Sequence, residues 1–207
     1  MNIEKAYDQW SSQYDTNKNK TRDLDKLVTV KCLEKLKFDS VLELGCGTGK
    51  NTGWLQTKAS NILAVDFSEE MLSIAKKKVL HENVNFQKAD ITKKWDWTSE
   101  KFDLVTCNLI LEHIEDLQFV YDQAFSKLKH GGHFFISELH PFKQYLGTKA
   151  RFESDAGKIE LRTFTHHVSE FTETGKKAGF QLTELREYFD EDQNKPPRIL
   201  SLLFKKP

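Results

Sequence analysis

Three glycines at alternate positions, in Glu43-Leu44-Gly45-Cys46-Gly47-Thr48-Gly49, follow directly on a short apolar run, Ser40 to Leu44. Glycine lets a chain turn sharply and bring its backbone close to a ligand, and a helix starting behind such a loop presents unpaired N–H donors to it. Lys50 stands where the dinucleotide fingerprint G-x-G-x-x-G requires its third glycine, so the loop departs from that pattern. Asp66 ends the next apolar run, at about the distance beyond the loop where an acid meets ribose hydroxyls in nucleoside-binding α/β folds. A carboxylate accepts from two hydroxyls at once. Asp90 follows a third run and suits the exocyclic amine of adenine, with Phe67 and Met71 placed to pack on the adenine faces. Each acid alone is equally readable as a turn or N-cap residue. It is the succession of three suitable strand ends that points to a nucleoside site.

The elements that must hold these residues are legible from periodicity. Short apolar strands are expected at Ser40–Leu44, Asn61–Val65, Val84–Gln87, Phe102–Cys107 and His133–Ser137, with strand-like runs at 180–188 and 199–204. Between them lie helical patterns at 50–58, from an N-cap at Ser68 onward, at 117–129 with Gly131 and Gly132 expected to stop it, and from about Ser169 to Gly179. Repeated strand–helix units predict a doubly wound, mostly parallel seven-stranded sheet with helices on both faces. The last two runs lack an intervening helix and are expected to form an antiparallel edge hairpin. Ligands in such sheets bind outside the carboxyl ends of the strands.

The motifs from Glu43 to Gly49, Val65 to Leu72, Lys88 to Ile91, Phe102 to Val105 with Leu111 to Ile114, and Leu128 to Gly132 resemble, in order, those of small class I S-adenosylmethionine-dependent methyltransferases. The resemblance spans roughly residues 38–140. It implies S-adenosylmethionine as cofactor, with Glu43, Gly45, Cys46 and Gly47 in the loop that faces its methionine half. It further implies Asp66 at the ribose, Asp90 and Ile91 at the adenine, and Asn108 beside the reacting centre and the incoming acceptor. Tyr7, Trp10, Tyr14 and Arg22 resemble the family's lid over cofactor and acceptor. The expected organisation is a single unit, 1–207, with lid helices in 1–37, a cofactor-binding core in 38–139, an insert in 140–165, and a final helix and hairpin in 166–207.

Methyl transfer requires alignment and exclusion of water, and needs a general base only when the acceptor loses a proton. His113 and His140 are the candidate bases, because each follows a strand at the active-site end of the sheet. His166 and His167 are further candidates for the acceptor side, and each of the four is also readable as a positioning or surface residue. Glu138, His140, His166 and His167 invite a reading as metal ligands, but nothing in their spacing fixes a cluster, and no metal is expected. The insert is expected to be irregular and carries Phe142, Tyr145, Arg151, Phe152 and Arg162, a mixture suited to shaping an acceptor pocket.

Lysine plus arginine number 31 and aspartate plus glutamate 31, so the formal charge is zero. Without a basic excess, nucleic acid is a disfavoured partner and a small-molecule acceptor is favoured. Three cysteines without a C-x-x-C pair argue against structural disulfides or zinc, and no apolar run approaches a bilayer span. A cytoplasmic monomer or homodimer is expected. The expected reaction is methyl transfer to an O, N or S atom of that acceptor, and three alternatives frame this reading: a methyltransferase acting on RNA or protein; a nicotinamide-dependent oxidoreductase, to which Tyr145-x-x-x-Lys149 lends a chance pattern; and a non-catalytic cofactor-binding relative, which would be marked by loss of the glycines or of Asp66.

Overall fold

Every residue of Ser40–Leu44 (β1) is buried, and only the first residue of Asn61–Asp66 (β2) is exposed, as strands covered on both faces require. The computed structural model describes residues 3–148, 151–154, 157–192 and 194–207, with side chains described except at 5, 6, 9, 12, 13, 151–154 and 157–160. The calls on Lys149, Arg151 and Phe152 therefore lie outside the described residues or side chains.

β1 pairs in parallel with β2 on one side and with Phe102–Asn108 (β4) on the other. Val84–Lys88 (β3) extends the sheet beyond β2, and Leu128–Leu139 (β5) beyond β4. The last two strands, Gln181–Tyr188 (β8) and Ile199–Lys205 (β9), are antiparallel, and β9 lies between β5 and β8. The order β3-β2-β1-β4-β5-β9-β8 reverses between β1 and β4, which opens a crevice at their carboxyl ends.

Helices Ile3–Tyr14 (α1), Lys20–Leu33 (α2), Glu69–Lys78 (α4), Leu117–Lys127 (α5) and Val168–Lys177 (α7) accompany this sheet. Two apolar clusters fill its faces. One gathers Leu44, Val65, Phe102, Tyr121, Phe134 and Phe204; the other gathers Val28, Val41, Leu55, Ile62, Leu104 and Phe135. α4 begins as its sequence predicts, with the Ser68 hydroxyl accepting from the Met71 N–H and Glu69 and Glu70 in the first turn.

Three expectations are corrected. The helix expected at 50–58 contracts to Thr52–Leu55 (α3), because Gly49 has φ +79°, outside the helical region, and residues before Thr52 form turns. Gly131 and Gly132 do not end a helix ahead of a separate strand. β5 starts at Leu128, at the end of α5, and the glycines lie within it beside a register shift opposite Phe102 and Leu104, with Gly131 at φ +77°. The stretch 140–165 is not irregular throughout: it contains Pro141–Tyr145 (α6) and an antiparallel pair, Arg151–Ser154 (β6) and Gly157–Glu160 (β7).

Candidate active site

At the carboxyl ends of β1, β2 and β4 the chain encloses a cavity of about 530 Å³, within the range of small-molecule sites. Its walls include Gly45 and Gly47 of the loop, Asp66, Phe67 and Met71 behind β2, Asp90 and Ile91 behind β3, and Asn108 and His113 behind β4. Tyr7 and Tyr14 of α1 close it from outside. A smaller adjoining space of about 40 Å³ is bounded by Arg22, Asp25, Glu43, Cys46, Lys50 and Asn51.

Gly45 and Gly47 have φ of +64° and +53°, which favours glycine at both positions. They differ in what a side chain would meet. A Cβ on Gly45 would come within 2.5 Å of Ile110 Cγ2, whereas one on Gly47 would meet no protein atom within 4 Å. Gly47, which lines the cavity, thus leaves open space beside its backbone.

Asp66 holds the loop against β2: its carboxylate accepts from the Gly47 N–H at 2.8 Å and from the Ser68 N–H at 2.9 Å. The Phe67 N–H also donates to it, and of a carboxylate's roughly four lone-pair sites this leaves acceptor capacity for a further donor. Burial pushes its pKa up to about 6, against the pull of those backbone donors. Glu43 is pushed up to about 8 by burial, with the Thr52 hydroxyl donating to it at 2.6 Å. Burial likewise raises the Cys46 thiol, so it remains neutral in the loop. On Asp90 burial works upward, but the Thr92 hydroxyl and N–H and the Lys93 ammonium together hold the carboxyl below its ordinary value.

Helix α1 and the residue after it are tied down by polar contacts that their acids make with the core. Glu4 pairs with Lys88 at 2.9 Å, Asp8 accepts from Ser68 at 2.6 Å, and Asp15 pairs with Lys78 at 2.6 Å and accepts from Thr48 at 2.9 Å. Trp10 packs on Tyr7 and Tyr14, with ring centroids 5.7 and 4.8 Å away. Arg22 is buried on α2, donates to the carbonyls of Tyr14 and Asn17, and stacks 4.4 Å over the Tyr14 ring. It therefore shapes the loop between α1 and α2 while bordering the smaller space.

The four histidines separate sharply. His113 lines the cavity; its Nδ1 is 3.1 Å from the Arg162 carbonyl and its Nε2 is 3.0 Å from the Tyr7 hydroxyl. A carbonyl only accepts, so Nδ1 carries the hydrogen and Nε2 is the acceptor, facing Tyr7. His140, the other candidate base, lies away from both cavities. Its Nδ1 accepts from the Phe142 N–H at the start of α6, and its Nε2 contacts Glu187 at 2.8 Å. With both nitrogens engaged and burial lowering its pKa, it is corrected to a structural cap. His166 holds the Ile114 carbonyl at 2.7 Å and Glu170 at 2.8 Å, and His167 meets the Tyr145 hydroxyl at 2.7 Å before α7. Neither these two nor Trp10 lines either of the two cavities, so the acceptor contacts expected of them are not seen in this geometry.

Asn108 borders both spaces, but its amide nitrogen is turned to Asp25 at 2.8 Å and Thr29 at 2.9 Å. Asp25 also accepts from Ser137 at 2.6 Å and Asn51 at 3.0 Å, so one buried carboxylate ties α2, the loop, β4 and β5 together. Burial raises its pKa. Sequence reading missed this group, although Asp25 shares the buried face of α2 with Val28 and Thr29, at helical spacing. Among the described residues no group of three or more His, Cys, Asp or Glu is placed to hold a metal ion.

A methyltransferase-domain family model matches residues 42–136. The ubiquinone biosynthesis O-methyltransferase of Coxiella burnetii (strain Dugway 5J108-111) is 30% identical over 193 residues, covering 87% of this chain and 80% of the relative. The chain belongs to the class I S-adenosylmethionine-dependent methyltransferases. A second relative of the same name, from Hydrogenovibrio crunogenus, is 28% identical over 162 residues, 75% of this chain and 67% of that protein. The methyltransferase also shares its fold with the N-methyltransferase NodS of Bradyrhizobium japonicum WM9 (TM-score 0.76, 15% identity, 100% of both chains). A Clostridium acetobutylicum S-adenosylmethionine-dependent methyltransferase gives a TM-score of 0.73 at 20% identity over 99% of both chains. The enzyme uses S-adenosylmethionine, and its own site fits that molecule: Gly47 leaves an open cradle, and buried Asp66 lines the same cavity.

Proposed function

We propose that this methyltransferase methylates an oxygen of a small-molecule acceptor, with His113 as the general base. His113 carries the proposal, because its Nδ1 is pinned by the Arg162 carbonyl while Nε2 is an acceptor at the cavity wall. The O-methyltransferase relatives support oxygen over other acceptor atoms.

S-adenosylmethionine supplies a methyl group already activated on a sulfonium. In this reading Glu43, Gly45, Cys46 and Gly47 form the loop side for its amino-acid end, with Tyr14 and Arg22 bordering that space. Asp66 takes the ribose hydroxyls on its remaining lone pairs. Asp90 and Ile91 take the adenine edge, and Phe67 and Met71 its faces. Asn108, held by Asp25 and Thr29, keeps the wall behind β4 rigid beside the reacting centre. Tyr7 covers Nε2 of His113 and must yield it to the acceptor hydroxyl, so lid and base are handled by one contact. His113 then takes the proton from that hydroxyl, while α1 excludes water.

The test is methyl-labelled cofactor incubated with a fractionated small-molecule extract, followed by mass spectrometry of the labelled product. An O-methyl product supports the proposal. Labelling confined to a nitrogen or sulfur acceptor, or to RNA or protein, overturns it.

A further inference from the structure

Among the described residues, Leu109 is the one non-glycine residue with positive φ, at +55°. A branched apolar residue adopts that conformation only where its surroundings enforce it. Leu109 directly follows β4 and lines both the main cavity and the smaller space; Ile110 and His113 behind it also line the main cavity. Ile110 sits against the glycine loop, close enough to exclude a Cβ from Gly45.

The turn is clamped from β5. The Leu109 N–H donates to the Ser137 carbonyl at 2.8 Å. One oxygen of Glu138, Oε1, then accepts from both the Ile110 and the Leu111 N–H, each at 2.9 Å. Glu138 is only 2% exposed. No cation is paired with it among the described residues, and burial raises its carboxyl well above the ordinary range, with the acids Glu112 and Asp25 adding to the rise. A buried carboxyl of this kind opposes folding and persists where its acceptor capacity is needed. Here two consecutive N–H groups leave the sheet at a left-handed turn, the Leu111 N–H fully buried and the Ile110 N–H partly so, and no backbone carbonyl serves either among the described residues. A leucine or valine at position 138 would leave both unpaired.

We propose that Glu138 is a positioning residue for the cofactor site: through its reach to the Ile110 and Leu111 amides it holds the left-handed turn at Leu109, and with it the wall that closes on the glycine loop. This rests on the methyltransferase assignment but not on the acceptor or on the role of His113. Its test therefore uses the product S-adenosylhomocysteine as ligand and needs no acceptor.

Two variants divide the explanations. Glu138→Gln keeps the reach and an acceptor oxygen without the carboxyl; Glu138→Asp keeps the carboxyl and shortens the reach by one methylene. Amide hydrogen exchange and calorimetric titration with S-adenosylhomocysteine are read on both, beside wild type. In Glu138→Asp, the Ile110 and Leu111 amides exchange at least roughly tenfold faster, and the dissociation constant rises roughly tenfold. In Glu138→Gln, both stay within about twofold of wild type. The Leu63 amide in β2 is the control for global opening. Equal acceleration at Leu63 in the Asp variant, unchanged binding in that variant, or a larger loss in Gln than in Asp each overturns the proposal.

Discussion

Binding of S-adenosylmethionine is expected to expel a proton from Asp66, and the effect can be sized from the structure. Buried Asp66 has its pKa raised from 3.8 to about 6, so half of the free enzyme carries a proton there near pH 6. Ribose hydroxyls donate to the ionised form and lower that pKa on binding. If the complex holds Asp66 ionised throughout, the protonated fraction of free enzyme rises from about a tenth at pH 7 to about nine-tenths at pH 5, and the apparent dissociation constant rises about tenfold over that interval. About half a proton is released per ligand bound near pH 6. Calorimetry in two buffers of different ionisation enthalpy reads this directly, as a difference in observed heat at pH 6 that vanishes at pH 8. The same site works oppositely on the free protein. Because the folded pKa is raised, Asp66 favours the fold below its ordinary pKa, and that contribution is lost as pH rises through about 6. The rise amounts to about 3 kcal/mol. Buffer-independent heat at pH 6, or a buffer difference that persists unchanged in Asp66→Asn, refutes the ribose role of this carboxylate.

Four further outcomes are expected. Gly47→Ala costs about 1–2 kcal/mol of stability from its φ of +53°. Its Cβ fills ligand space, so calorimetry should show S-adenosylhomocysteine binding lost far beyond the modest drop in thermal midpoint. His113→Gln should lower kcat on a hydroxyl acceptor by about 10²–10⁴ while cofactor affinity stays within a few-fold; an unchanged kcat removes the base assignment. His140→Ala removes the α6 cap and the Glu187 contact, so the melting temperature falls while kcat holds, and the reverse pattern would restore it as a candidate base. Tyr121→Phe deletes a buried hydroxyl that has no hydrogen-bond partner among the described residues, and should leave stability unchanged or raise it by about 1–2 kcal/mol in denaturant titration.

Much of the cavity wall formed by the glycine loop and the end of β2 was legible because its signals are local. Gly45 and Gly47 need positive φ, Asp66 ends β2, and Ser68 caps α4, each dictated within a few residues of chain. The acceptor side was less legible. His113, His140, His166 and His167 share one side-chain chemistry, and what separates them is the partner each meets across the fold: Tyr7 and Arg162, Glu187, Ile114 and Glu170, or Tyr145. Glu138 stood among candidate metal ligands by composition alone; its two amide donors lie about 27 residues earlier in the chain, beyond any local pattern.

The sequence by itself determined the succession of strands and helices, the glycine loop and the acids behind β2 and β3, because period, capping and turn chemistry act over short stretches of backbone. Tertiary structure alone decided that β9 enters between β5 and β8, that one histidine of four faces the cavity, and that Asp25 and Glu138 brace its walls. Those outcomes depend on burial and on donors brought together from distant segments. A side chain's type states what it can bond to, and only the packed fold supplies the partner.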